Sequence, residues 1–221
     1  QIEASSGLPS DEVVNLDDST VRATIATTAA RFVQKDDFDG VHYDIEPIRN
    51  NNPRFIDLLI ATRALLPSGA MISVSAQKWA PNAHVADLFY NAGRAGEWWT
   101  TYFYEVVAAH VDQLAVMAYD SAMPTAGAYQ LFVKEETQHV LAIARSVPHP
   151  PQVLIGVPTY TGDSTWFHAS AENMTSGLNG VVAGLNSDTS TQPFTGVAIY
   201  RLAVTSDASW TSYNRNWLGQ S

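Results

Sequence analysis

Cysteine is absent from the 221 residues, which removes disulfides and thiolate metal sites without fixing the compartment. Basic residues are scarce, 12 Lys and Arg against 22 Asp and Glu, for a net charge of -10. At that charge a nucleic acid or an anionic membrane is repelled at long range, so neither is expected as a partner. A neutral sugar does not feel the field. No apolar run approaches the ~20 residues of a membrane span. No Gly-rich phosphate loop follows a strand-like segment, and no Gly-x-Ser-x-Gly elbow is present, which argues against a serine hydrolase. Asp and His are scattered without ligand spacing, so no cofactor and no metal are expected. The sequence opens at Gln1 with no signal peptide, which reads as a processed, cloned or truncated start. Asn173-Met174-Thr175 is a glycosylation triplet and leans toward secretion over the cytoplasm.

What is present is a globular composition, 46% hydrophobic, in which strand-like and helix-like segments alternate. Ile2 to Ser5 reads as a short strand. Asp17, Asp18 and Ser19 start a helix with Val21, Ile25, Ala29 and Phe32-Val33 at helical spacing. Asp39 to Glu46 is a strand. Pro53 opens a helix whose stripe is Phe55, Leu58, Leu59 and Leu65-Leu66. Ala70 to Trp79 reads as a strand, with Ile72, Val74 and Ala76 on one face and Ser73, Ser75 and Gln77 on the other. An excursion rich in Trp and Tyr runs from Ala80 to Tyr104 and leads into a helix ending near His110. Strands are expected at Gln113–Asp120, Gln152–Tyr160 and Gly196–Leu202. Helices are expected at Phe132–Ser146, at Ala171–Leu185 (loosened by Gly177, Gly180 and Gly184) and from Asp207 through Trp217. Such alternation means right-handed βαβ units and a parallel sheet in one α/β domain of about six β/α units. In a barrel of this class chemistry gathers at the C-terminal strand ends. Glu46, Gln77 to Trp79, Tyr119-Asp120, Tyr160 and Tyr200 fall there.

The densest signal is Phe38-Asp39-Gly40-Val41-His42-Tyr43-Asp44-Ile45-Glu46-Pro47. Val41, Tyr43 and Ile45 alternate with His42, Asp44 and Glu46, so a period of two puts the acids on one face. Pro47 then stops regular pairing. Two carboxylates at one strand end share a proton or a hydrogen bond and push a pKa upward, which suits acid–base work. Asp39 has the opposite parity and reads as a turn residue. His42 reads as a hydrogen-bonded interior histidine more than as a proton relay.

Asp39 to Glu46 resembles the Asp-Gly-x-Asp-x-Asp-x-Glu signature of family 18 glycoside hydrolases, the chitinase-like enzymes. His42 stands where the middle Asp is usual. Met117-Ala118-Tyr119-Asp120 is similar to the family's sixth-strand motif, Ile155-Gly156-Val157-Pro158-Thr159-Tyr160 to the seventh, and Gly196-Val197-Ala198-Ile199-Tyr200 to the eighth. The resemblance implies a TIM-type (β/α) barrel and substrate-assisted, retaining hydrolysis of β-linked N-acetylhexosamine (chitin-like) polymers. No enzyme nucleophile acts there, because the sugar's own acetamido oxygen attacks. Glu46 would be the acid and then the base, Asp44 would orient the acetamide, and Tyr119 and Asp120 would hold it from the opposite wall.

Sugar rings stack on aromatic faces. Trp79, in phase with Gln77, is the expected platform, with Gln77, Tyr160 and Tyr200 as further substrate contacts. Trp98 and Trp99 read equally as core or site. Tyr200 replaces the family's usual Trp, a smaller platform with a hydroxyl. The family's signature strand is the fourth, and before Asp39 there is room for one strand and one helix, so the resemblance implies that the first two barrel strands are missing. The chain then reads as a fragment, as a short barrel, or as one that self-associates across an open sheet edge. Two rival functions stand beside hydrolysis of chitin-like substrates. One is a non-catalytic carbohydrate-binding protein on the same fold. The other is a different β/α glycosidase using Glu46 and Asp120.

Overall fold

The computed structural model describes residues 2–4, 14–86 and 98–219. In chain order the elements are β1 (Ile2–Ala4), α1 (Ser19–Asp36), β2 (Gly40–Ile45), α2 (Pro53–Leu65), β3 (Met71–Ala76), β4 (Lys78–Ala80), β5 (Trp98–Thr100), α3 (Thr101–Ala108), β6 (Gln113–Val116), α4 (Ala126–Ser146), β7 (Gln152–Pro158), α5 (Met174–Asn186), β8 (Phe194–Tyr200) and α6 (Asp207–Asn216), with a 3-10 turn at Leu202–Val204. Ser5 and the part of the Trp- and Tyr-rich excursion at 87–97 lie outside the described residues.

Six strands form one parallel sheet in the order β1-β2-β3-β6-β7-β8. The order follows the chain with no reversal, so right-handed crossovers all return on the same face. Residue parity shows which face that is. Tyr43, Ile45, Ile72, Val74, Ala76, Leu114, Val116, Val153, Ile155 and Val157 are buried in the main core with residues of α2, α4 and α5. The Tyr43 hydroxyl lies 2.6 Å from the Thr62 hydroxyl of α2. The alternate set, with His42, Asp44, Ser75, Gln113, Ala115, Leu154, Gly156 and Ala198, lines a cavity of about 600 Å³ on the other face. Among the described residues no ladder joins β1 to β8.

The helix starts follow the caps. Asp18 accepts from the Thr20 amide at 2.7 Å and Asn52 from the Arg54 amide at 2.9 Å, with Pro53 opening α2. Such caps contribute about 1 kcal/mol each. Thr125 caps α4, which therefore begins six residues before the predicted Phe132. Asn173 caps α5 in a reciprocal capping box with Ser176. Its side-chain amide donates to the Ala169 and Ser170 carbonyls at 3.2 and 3.3 Å, so the glycosylation triplet serves here as a helix start. Two α5 glycines form a close seam instead of loosening the helix. A Cβ on Gly180 would lie 2.7 Å from Val133 Cβ, and one on Gly184 would lie 2.8 Å from Thr137 Cβ, both on α4.

Five strands end earlier than predicted: β2 stops at Ile45, β3 at Ala76, β6 at Val116, β7 at Pro158 and β8 at Tyr200. The break at Gln77 matters most. Beyond it the chain leaves the main sheet, and Lys78–Ala80 pairs in parallel with Trp98–Thr100 in a second, two-stranded sheet. Parity counted through Gln77 therefore fails.

Candidate active site

Each acid of the predicted strand end arrives on the cavity wall. His42, Asp44 and Glu46 project from β2 and its C-terminal end into the cavity. Burial raises the Glu46 pKa from its ordinary 4.5 to about 7, helped by the charge and hydrogen bond of Asp44 and opposed by Lys78. Both ring nitrogens of His42 are engaged, Nδ1 with the Ser73 hydroxyl at 2.8 Å and Nε2 with the Ser75 hydroxyl at 3.1 Å. Burial lowers its pKa while Asp44 pulls it up, and a neutral imidazole fits two hydroxyl partners, each able to donate or accept.

The opposite wall comes from β6, β7 and β8. Tyr119 and Tyr200 line the cavity and stack at 4.2 Å between centroids, 5° from parallel. Gly156 on β7 makes room for that stack. A Cβ there would lie 2.7 Å from Tyr119 Cε1 and 2.7 Å from the Val116 carbonyl. Tyr160 stacks on Phe167 at 3.5 Å, meets Tyr200 edge-on at 6.2 Å, and donates its hydroxyl to Asp120. Burial raises the pKa of Tyr119, Tyr160 and Tyr200, so all three phenols stay hydroxyl donors at neutral pH. The charge of Asp120 also acts on Glu46.

Asp120 and Tyr160 stand behind Tyr200 rather than among the cavity-lining residues, and two further predicted contacts sit elsewhere. Trp79 does not reach the cavity. Its ring stacks on His139 of α4 at 3.7 Å and its indole N–H donates to Thr101 Oγ1 at 3.0 Å. The strand break at Gln77 explains this, because it turns Trp79 toward α4 and Lys78 into the interior. Gln77 is 1% exposed, and its carbonyl accepts from the Tyr104 hydroxyl. Its buried Nε2 has no hydrogen-bond partner among the described residues. Trp99 is fully buried against Phe55, Phe103 and Tyr104 and donates to the Ile48 carbonyl at 2.8 Å. It thereby braces the loop that follows Glu46. Trp98 packs edge-on to Phe132. Both are core residues.

Sequence reasoning missed four participants. Lys78 is 3% exposed. Burial lowers its pKa, and the charges of Asp120, Glu136, Glu46 and Glu172 resist that. Glu136 of α4 accepts the Trp79 amide on both oxygens, at 2.9 and 3.1 Å, and burial raises its pKa to about 8 against the pull of that amide and Lys78. Glu172 holds the segment after Asp120 through Ser121 and Met123. Arg201 lines the cavity although it is out of phase with Tyr200. Only Lys78 carried a readable signal, a lone cation in an otherwise uncharged strand-like run. Among the described residues no cluster of three His, Asp or Glu is placed to hold a metal ion.

Neither a family model nor a curated protein matches the sequence. Solved structures match in fold. The spore cortex-lytic enzyme SleL of Bacillus cereus gives a TM-score of 0.60 at 15% identity, over 91% of this chain and 54% of that one. The SleL enzyme of Bacillus megaterium QM B1551 gives 0.56 at 13% identity, over 91% and 54%. A chitinase from Rhizomucor miehei gives 0.55 at 15% identity, over 91% and 75%. The chain spans about half the length of the SleL enzymes, and at these identities the likeness is one of fold.

Proposed function

We propose that this chain is a glycosidase of the chitinase type, acting on β-linked N-acetylhexosamine polymers by substrate-assisted hydrolysis with retention. The sheet is then the larger part of a (β/α) barrel, in keeping with its chain-ordered parallel strands. One observation carries the reading. Glu46 has a pKa of about 7 and lines, beside Asp44, a cavity whose far wall holds Tyr119 and Tyr200. An acid poised there is largely protonated in weakly acidic solution and still strong enough to give its proton up. The structural neighbours named for cortex lysis and for chitin cleavage favour the same substrate class.

In the first step the Glu46 carboxyl protonates the glycosidic oxygen, and the bond from that oxygen to C1 breaks. The acetamido carbonyl oxygen of the same sugar closes onto C1, giving an oxazolinium ion. Asp44 accepts the acetamide N–H, and its charge offsets the positive ring. The Tyr119 hydroxyl donates to the acetamide oxygen, and Asp120, steadied by Tyr160, holds the group from its other side. In the second step the Glu46 carboxylate takes a proton from water as that water attacks C1, which restores the acetamide and the acid.

Glu46→Gln tests the reading. Turnover of N-acetylglucosamine oligomers should fall by two to four orders of magnitude, about the worth of a general acid, while oligomer binding by calorimetry survives. Equal hydrolysis by wild type and variant overturns it. Binding without turnover by the wild type would make the chain a carbohydrate-binding protein instead.

A further inference from the structure

Asp120 does not lie on a strand. It follows β6 by four residues, in a segment whose backbone is unusual for its side chains. Asp120 has φ 52° and Ala122 φ 54°, both in the left-handed region. Non-glycine residues stay in that region only where their surroundings hold them. The surroundings here are specific. Glu172, fully buried just before α5, accepts from the Ser121 hydroxyl at 2.9 Å, from the Ser121 amide at 3.2 Å to each oxygen, and from the Met123 amide at 3.3 Å. The amide between them, on Ala122, donates to the Trp166 carbonyl at 2.9 Å. Three consecutive amides after Asp120 thus end on the segment that follows β7.

Glu172 is itself fixed. Its amide donates to the His168 carbonyl at 2.7 Å, and the next residue, Asn173, caps α5. The same segment opens with Tyr160, whose hydroxyl holds the Asp120 carboxylate. Asp120 is therefore pinned twice from one direction, by a phenol on its side chain and by a buried carboxylate on the backbone beyond it. The bonds from Ser121 and Met123 pull the Glu172 pKa down against the rise that burial causes.

We infer that Glu172 is a positioning residue for the reaction, acting through Asp120. By fixing Ser121 and Met123 it keeps the backbone turn that aims the Asp120 carboxylate at the acetamide. The inference rests on the proposed function, in which Asp120 meets the substrate, while the latch itself is independent of that reading.

The experiment uses Glu172→Ala, Glu172→Gln and the pair Asp120→Asn with and without Glu172→Ala. Each is assayed on N-acetylglucosamine oligomers and by amide hydrogen exchange. In Glu172→Ala the Ser121 and Met123 amides should exchange faster and kcat/KM should fall by about 100-fold, the scale of a 1 Å misplacement. Glu172→Gln, whose amide oxygen can take the place of the Oε1 acceptor, should recover most of the activity. In the Asp120→Asn background Glu172→Ala should cost little more, since the two losses share one route. Wild-type kcat/KM in Glu172→Ala overturns the inference, as does an undiminished loss in the Asp120→Asn background. So does a Glu172→Gln variant that folds like wild type yet is as impaired as Glu172→Ala. If the wild type turns over no such substrate, the proposed function falls instead. The latch is then judged by exchange alone: faster Ser121 and Met123 exchange in either Glu172 variant upholds it, and unchanged exchange overturns it.

Discussion

Replacing Gly156 by Ala adds one methyl group at the most crowded point of the cavity wall. The new Cβ would lie 2.7 Å from Tyr119 Cε1, 3.0 Å from Cδ1 and 2.7 Å from the Val116 carbonyl. Carbon atoms rest at about 3.5–4.0 Å, so the Tyr119 ring must retreat by about 1 Å. Its other face is already covered by Tyr200 at 4.2 Å, so the stacked pair must shift together or β7 must part from β6. Overpacking of this size costs about 1–3 kcal/mol. For a chain this long that lowers Tm by roughly 2–12 °C. In the proposed mechanism Tyr119 orients the substrate, and a 1 Å error in such a group costs about 100-fold in rate. The assay is kcat/KM on an N-acetylglucosamine oligomer, well below the melting transition of the variant so that unfolding does not contribute. Gly127→Ala is the control, because a Cβ there meets nothing within 4 Å. A Gly156→Ala variant with lowered Tm and wild-type kcat/KM would refute the reasoning, since the strain would then bypass Tyr119.

Two further outcomes follow from the buried acids. The falling limb of the kcat/KM profile should lie near pH 7, where Glu46 loses its proton. In Asp44→Asn the residual activity should show that limb at lower pH, since removing the neighbouring charge lowers the Glu46 pKa, and a fixed or alkaline-shifted limb counts against the pairing. Glu136 binds a proton more tightly folded (about 8) than at its ordinary 4.5. Its contribution to stability is therefore full below pH 4.5 and is lost as pH rises through about 8. Urea midpoints at acidic and alkaline pH should show a smaller alkaline loss for Glu136→Gln than for wild type. An equal loss would mean that other groups carry the alkaline sensitivity.

Much of the site was legible because β2 obeys a simple period. His42, Asp44 and Glu46 alternate with Val41, Tyr43 and Ile45, and both burial and cavity lining follow that alternation. Tyr200 ends β8, while Tyr119 and Tyr160 lie past the ends of β6 and β7 and were legible from their motifs. Trp79 was not, because a period holds only while its strand continues. The change of sheet at Gln77 carries no glycine or proline to announce it. Trp99 could not be assigned from composition, since a tryptophan serves a core as well as a sugar, and its place follows from one bond to the Ile48 carbonyl. Glu172 lies in irregular chain, where no period exists, and its role depends on bonds to residues about fifty positions away. Gly156 was visible within a strand motif, but its reason is a ring contributed by the neighbouring strand.

A raised pKa does not by itself single out the proton donor proposed for this site. Burial raises Glu46, Glu136 and Glu172 alike. Glu136 and Glu172 are spoken for, the first by the Trp79 amide and the second by Ser121 and Met123, and neither lines the cavity. Glu46 combines a proton held at neutral pH with a place on the cavity wall. Lys78 pulls its pKa down, but that one cation acts on Asp120, Glu136 and Glu172 as well. Asp44 acts on Glu46 in the opposite sense from two residues away. At Glu46 burial and the like charge of Asp44 outweigh Lys78, and along this cavity that balance falls on Glu46.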